Sequence, residues 1–147
     1  MIERHVQTIF CDDIRQEVSG KISYIGVYSG VLFVKAFPAT LPKLCIAVKV
    51  ATPGDNPLKS LTLRVLKDDE QLQEIAVEED QLASASDLDS DLSDEDKNNR
   101  VQVTQFMLVF SPMQLDNPCT LRVLAQTEND ELRGMALKVA LAPPPIQ

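Results

Sequence analysis

Hydrophobic and polar positions alternate along most of this chain. Residues 43–50 set Leu44, Ile46, Val48 and Val50 on one side of a period-two pattern and Lys43, Cys45, Ala47 and Lys49 on the other. That is the pattern of a strand with one face in a core and the other nearer solvent. Residues 60–66 repeat it, with Leu61, Leu63 and Val65 inward. The stretch between them, Thr52-Pro53-Gly54-Asp55-Asn56-Pro57, is dense in residues that set turn dihedrals. An antiparallel hairpin of these two strands is therefore expected. Residues 71–77 read as a weaker strand and 101–110 (VQVTQFMLVF) as a long one, broken by Ser111-Pro112. Residues 119–125 alternate with Leu121, Val123 and Ala125 inward. Residues 133–141 do so with Met135, Leu137, Val139 and Leu141 facing the core.

The chain opens on a strand pair. Residues 4–11 and 21–28 are rich in β-branched and aromatic side chains, which suit a half-buried pleated surface. A polar connection over 12–19 joins them and closes on Ser19-Gly20. The all-apolar run Val31-Leu32-Phe33-Val34 suggests a strand buried on both sides or a sheet-crossing segment. Pro38 and Pro42 exclude 37–42 from a central strand and make it a crossover or an edge. No window carries apolar residues at helical spacing with a capping box. The expected fold is all-β: an antiparallel β-sandwich of eight or nine strands in a single domain over 1–147, with a closed barrel as the alternative. Residues 142–147 form a Pro-rich tail.

Charge changes this picture in one place. The chain of 147 residues has a net charge of −8. Nine acids and one base lie between Glu78 and Lys97, while 13 acids and 13 bases elsewhere cancel. Residues 82–99 are built of Ser, Asp and Leu and are expected to be an acidic, flexible insertion. A neutral body argues against direct binding to nucleic acid, which favours a basic patch. No window reaches the apolar length that spans a bilayer, and the N-terminus lacks the apolar stretch of a signal peptide. Cys11, Cys45 and Cys119 have neither zinc-site spacing nor a second histidine to support one, so reduced, buried thiols and a cytoplasmic location are expected.

Candidate chemistry is sparse. Asp12, Asp13, Arg15 and Glu17 cluster in the first connection, where they suit a basic or cationic partner but are equally ordinary turn residues. Asp87, Asp89 and Asp91 resemble the opening of a calcium loop, with Asp94 nearby, since alternate carboxylates can turn toward one hard cation. The match fails at Leu92, where the turn needs Gly, and at Asn98, where it needs a bidentate Glu. Loop aspartates Asp12, Asp13, Asp68 and Asp69 would have to converge for a calcium-dependent membrane-docking sandwich. His5 is the only imidazole and sits within a strand, away from any loop nucleophile. The five glycines are dispersed, so there is no phosphate cradle. Tyr24 and Tyr28 share a strand face and offer an aromatic partner surface or simple packing.

Several short motifs carry a resemblance: Cys11-Asp12-Asp13-Ile14-Arg15, Gly20-Lys21, Ile25-Gly26-Val27-Tyr28, Leu41-Pro42-Lys43-Leu44, Thr104-Gln105-Phe106-Met107 and Leu121-Arg122-Val123. Together they resemble an uncharacterised family of bacterial and phage-borne proteins of about 150 residues. The resemblance covers nearly the whole chain outside the acidic insertion. It implies a compact all-β protein and brings no activity, cofactor or catalytic residue with it.

The expectation is a non-enzymatic, protein-interaction module without a cofactor. Its partner would be another protein or a second copy, met through a strand edge or through Asp12, Asp13, Arg15, Glu17, Asp87, Asp89, Asp91 and Asp94. Two alternatives are a phage structural or anti-host protein and a divalent-metal (calcium)-binding β-sandwich.

Overall fold

The computed structural model describes residues 3–78, 81 and 101–144. The elements of the described residues are twelve β-strands. A four-stranded antiparallel sheet has the order β2-β1-β5-β8, formed by β1 (His5–Gln16), β2 (Ile22–Val27), β5 (Leu44–Pro53) and β8 (Val101–Phe110). A larger sheet runs β3-β12-β10-β6-β7, with β3 (Val31–Val34), β6 (Leu61–Lys67), β7 (Glu70–Val77), β10 (Cys119–Thr127) and β12 (Leu137–Leu141). A short β11 (Glu131–Arg133) also pairs with β10. β4 (Ala39–Leu41) and β9 (Met113–Leu115) make a two-stranded sheet. The strand count exceeds eight or nine because β4, β9 and β11 have three residues each, too few to show an alternation. The larger sheet is mixed, since β12 and β3 run parallel.

The alternation itself places the core. Val6, Phe10, Leu44, Ile46, Val48 and Val50 of the smaller sheet form one apolar cluster with Leu61, Leu63, Val65, Leu121, Val123, Leu137 and Val139 of the larger. At about 25 cal/mol per Å² of apolar surface removed from water, this shared layer is the main force joining the sheets.

Several expectations are corrected. Residues 43–50 and 60–66 do not form a hairpin. β5 pairs with β1 and β8, and β6 with β7 and β10, so the chain at 54–60 crosses from one sheet to the other. Alternation fixes which side chains face inward but not which sheet a strand joins. The polar stretch 12–19 is not a connection, because β1 runs on to Gln16 and pairs with β2. The turn itself is short. Glu17 N–H donates to Lys21 O at 2.7 Å, Gly20 N–H to Glu17 O at 3.0 Å, and Gly20 takes φ +85°, a type I turn closed by a left-handed residue.

The expected strand over 133–141 is interrupted. Gly134 lies so close to β1 that a Cβ there would stand 2.6 Å from Thr8 Cγ2, and Thr8 Oγ1 donates to Met135 O at 2.8 Å. Met135, expected in the core, is 76% exposed, and Leu141 is exposed at the end of β12. Leu137 and Val139 face the core as expected. In β3, Leu32 and Val34 are buried but Phe33 is exposed, so that strand is covered on one side only. Residues 37–42 do lie at an edge, in β4, and the break at Ser111-Pro112 leads into β9.

Candidate functional site

Among the described residues, polar side chains are engaged together at the start of the β1–β2 hairpin. Along β5 both faces are buried: Leu44, Ile46 and Val48 on the core side, Cys45 and Ala47 on the other, where a surface nearer solvent was expected. The cover is the hairpin's own far end. β2 and β8 are opposite edges of the smaller sheet, three strand spacings or about 14 Å apart. Yet Gln105 Nε2 of β8 donates to Tyr24 Oη of β2 at 3.4 Å. Cys45 Sγ reaches Asp12 O at 3.8 Å, and Cys11 Sγ reaches Asp13 O at 3.4 Å. These contacts require the chain beyond Cys11 to bend over the face opposite the core. The arm of residues 12–26 thus lies across the sheet from which it springs.

Two residues make the bend. Gly26 takes φ +68° in mid-strand, a conformation that suits glycine. It lies between the register pairs Cys11/Val27 and Asp13/Ile25, beside Asp12, whose Oδ2 would lie 2.3 Å from a Cβ on Gly26. Asp12 is held by Tyr28, whose hydroxyl donates to Oδ1 at 2.6 Å. Burial, reinforced by this bond, pushes the Tyr28 phenol up to about 12. On the other side of the strand Lys43 Nζ donates to Asp13 Oδ1 at 2.6 Å, and the Ile14 N–H donates to the same oxygen at 3.0 Å. The hydrogen bond from Lys43 lowers the Asp13 carboxyl below its ordinary value. Beneath the arm, burial pushes the thiols of Cys11 and Cys45 up.

The residues singled out in sequence fall unequally on this geometry. Asp12 and Asp13 are neighbours on a strand, point to opposite faces, and have separate partners. Arg15 and Glu17 are exposed toward the tip of the arm. Asp87, Asp89, Asp91 and Asp94 lie outside the described residues. Among the described residues no three His, Cys, Asp or Glu side chains come together as a metal-holding group, and Asp12, Asp13, Asp68 and Asp69 are not so gathered. Tyr24 and Tyr28 both pack, one over β8 and the other against the core.

Sequence reading missed a second built feature. Arg4, ahead of β1, sends Nη2 to Glu128, to Asn56 O at 3.1 Å and to Pro57 O at 2.9 Å, and Nε to Thr52 Oγ1 at 3.1 Å. Glu128 also accepts from the N–H groups of Lys59 and Ser60. Burial opposes ionisation of Glu128, but the bond from Arg4 and the backbone donors outweigh it and lower the carboxyl to about 2. No motif marks this pair, since its members stand 124 residues apart. A shallow groove of about 460 Å³ on the larger sheet is lined by Asp68, Asp69, Arg122 and Arg133 among others. Asp68, at φ +53°, is committed to Thr120, whose N–H it accepts at 2.9 Å.

These features define an all-β protein of several antiparallel and mixed sheets, the two larger sharing one apolar cluster, with a hairpin folded back over the four-stranded sheet. The chain belongs to a family of unknown function, DUF6941, whose profile matches residues 7–140. Neither a curated protein nor a solved structure matches it. No helix among the described residues is long and apolar enough to cross a membrane.

Proposed function

We propose that this protein is a non-enzymatic protein-interaction module built on a β-sandwich. The observation that carries the reading is one group of exposed apolar side chains, distinct from Phe33, Met135 and Leu141 elsewhere. Ile25 and Val27 of β2, and Val103 and Val109 of β8, are all exposed on the smaller sheet and its arm. Large apolar side chains left in water at both edges of one sheet mark a surface that another protein covers. The carboxylates of the bend favour the same reading over chemistry, because Asp12 and Asp13 are each engaged and face apart. The acidic run between Glu78 and Lys97 supplies long-range attraction for a basic partner, an effect that weakens with salt.

The test is affinity capture from host lysate at low and high salt, with Ile25→Asp/Val27→Asp and Val103→Asp/Val109→Asp run beside the unaltered chain. A partner retained by the unaltered chain and lost with either pair of changes is the expected result. A chain that retains nothing at any salt, and does not self-associate, sinks the reading.

A further inference from the structure

Among the described residues five strands form the edges of the two larger sheets, and four are guarded, β11 by having only three residues. β2 has six residues and is bent at Gly26. β3 has four residues. β7 carries Glu70 and Glu74 and pairs through an irregular step at Val65/Leu66. These are the ordinary devices against edge-to-edge pairing. β8 has none of them. It runs ten residues, Val-Gln-Val-Thr-Gln-Phe-Met-Leu-Val-Phe, without a charge, proline, glycine or bulge. Among the described residues it pairs only with β5.

The polarity of that edge follows from the ladder. Tyr28 N–H donates to Phe10 O at 2.8 Å, so even-numbered residues of β1 face β2 and odd-numbered ones face β5. Carried across β5 in the observed register, the rule turns the N–H and C=O of Val101, Val103, Gln105, Met107 and Val109 toward the open side. The side chains of the same five residues lie on the face away from the core. Val103 is 56% and Val109 54% exposed.

We propose that β8 pairs antiparallel with β8 of a second copy of this chain, giving one eight-stranded sheet across a two-fold axis. The inference rests on the interaction reading above and names the partner. Continuity of the two faces requires odd residues to meet odd residues. In the register that sets Gln105 opposite its own copy, Val101 meets Val109 and Val103 meets Met107, and all five outward-facing residues are paired. Charge selects the antiparallel sense. The acidic run ends at Asp96, shortly before Val101. Antiparallel pairing holds the two points of entry into β8 about 27 Å apart, well beyond a Debye length of about 8–10 Å. Parallel pairing would bring them side by side.

Sedimentation equilibrium on the full chain tests this. A dimer is expected, with Val103→Lys raising its dissociation constant by about 100-fold, the effect of two unpaired lysines brought against apolar side chains. Circular dichroism checks that the variant remains folded, which exposure of Val103 favours. Val103→Lys with Met107→Glu in one chain restores the dimer, because each lysine then faces the other copy's glutamate. Gln105→Cys cross-links to itself under diamide, since Cα atoms of a directly opposed hydrogen-bonded pair stand about 5.5 Å apart and the native cysteines are buried. A monomer at every concentration overturns the proposal. So does a dimer that neither Val103→Lys nor Gln105→Cys affects. A monomer that still captures a partner through Ile25 and Val27 overturns self-pairing and leaves the interaction reading standing.

Discussion

Gly26 takes φ +68° beside an aspartate whose carboxyl fills the space a Cβ would need. Gly26→Ala therefore meets two penalties: a left-handed backbone, and displacement of Asp12 from its bond with Tyr28. A loss of about 2 kcal/mol or more is expected in denaturant unfolding. In an Asp12→Ala background the same change should cost less, because only the backbone strain remains. Additivity of the two would show that Asp12 and Gly26 do not compete for the same space. Tyr28 gives an alkaline signature. Its phenol is raised from 10 to about 12 in the folded protein. A raised value means that the contribution to stability is complete below the unfolded value and is lost as pH climbs from about 10 through 12. Ultraviolet titration should find this tyrosine still protonated at pH 11, with Tyr28→Phe removing the late transition.

The arm is where an element departs from what its sequence shows. Alternation in β5, β6 and β10 identified core faces correctly because one side chain in two meets the other sheet. The arm is legible only in part. Its hairpin pairing was expected, but Asp12, Asp13, Arg15 and Gln16 read as a loop, since an exposed two-stranded ribbon needs no apolar alternation. Its fold-back was not legible at all. Cys45 and Ala47 gave a hint, being small side chains on the supposedly solvent-facing side of β5, where a covering element comes close. Of the candidate carboxylates, sequence proximity suggested a joint site. Strand geometry separates Asp12 from Asp13, because neighbours on a strand point to opposite faces. If the arm is a cover held by modest contacts, weakening its underside should expose the thiols. Tyr24→Ala, which removes the arm's bond to Gln105 of β8, is expected to speed labelling of Cys11 and Cys45 by a disulfide reagent by about tenfold, equivalent to about 1.4 kcal/mol of easier opening. Cys119, buried in the larger sheet, serves as the internal control and should label at its original rate. Equal acceleration at all three sites, read by peptide mass mapping, would mean global destabilisation instead.

At the scale of the whole molecule, the two larger sheets are joined, among the described residues, by apolar burial and by one ionic lock at a single end of the core. Arg4 leads into β1 of the smaller sheet, while Glu128 follows β10 of the larger, and the crossing at 54–60 supplies Asn56, Pro57, Lys59 and Ser60 to the same knot. A charge pair this enclosed contributes little relative to an apolar replacement, but losing one member strands the other. Glu128→Gln is thus expected to cost about 3 kcal/mol, and the loss should appear as separation of the sheets rather than as opening of the arm. The acid limb of stability follows with a defined sign. The Glu128 carboxyl stands near 2 in the folded protein and near 4.3 when unfolded. A depressed value means that the unfolded chain binds the proton first. The contribution is complete above about pH 4.3 and drains away as pH falls toward 2. Melting curves of the unaltered chain should therefore lose up to about 3 kcal/mol across that window, and Glu128→Gln should flatten the slope there. An unaltered acid slope in Glu128→Gln would place the titrating group elsewhere, and Asp13 beside Lys43, also lowered in the folded state, would be the next to replace.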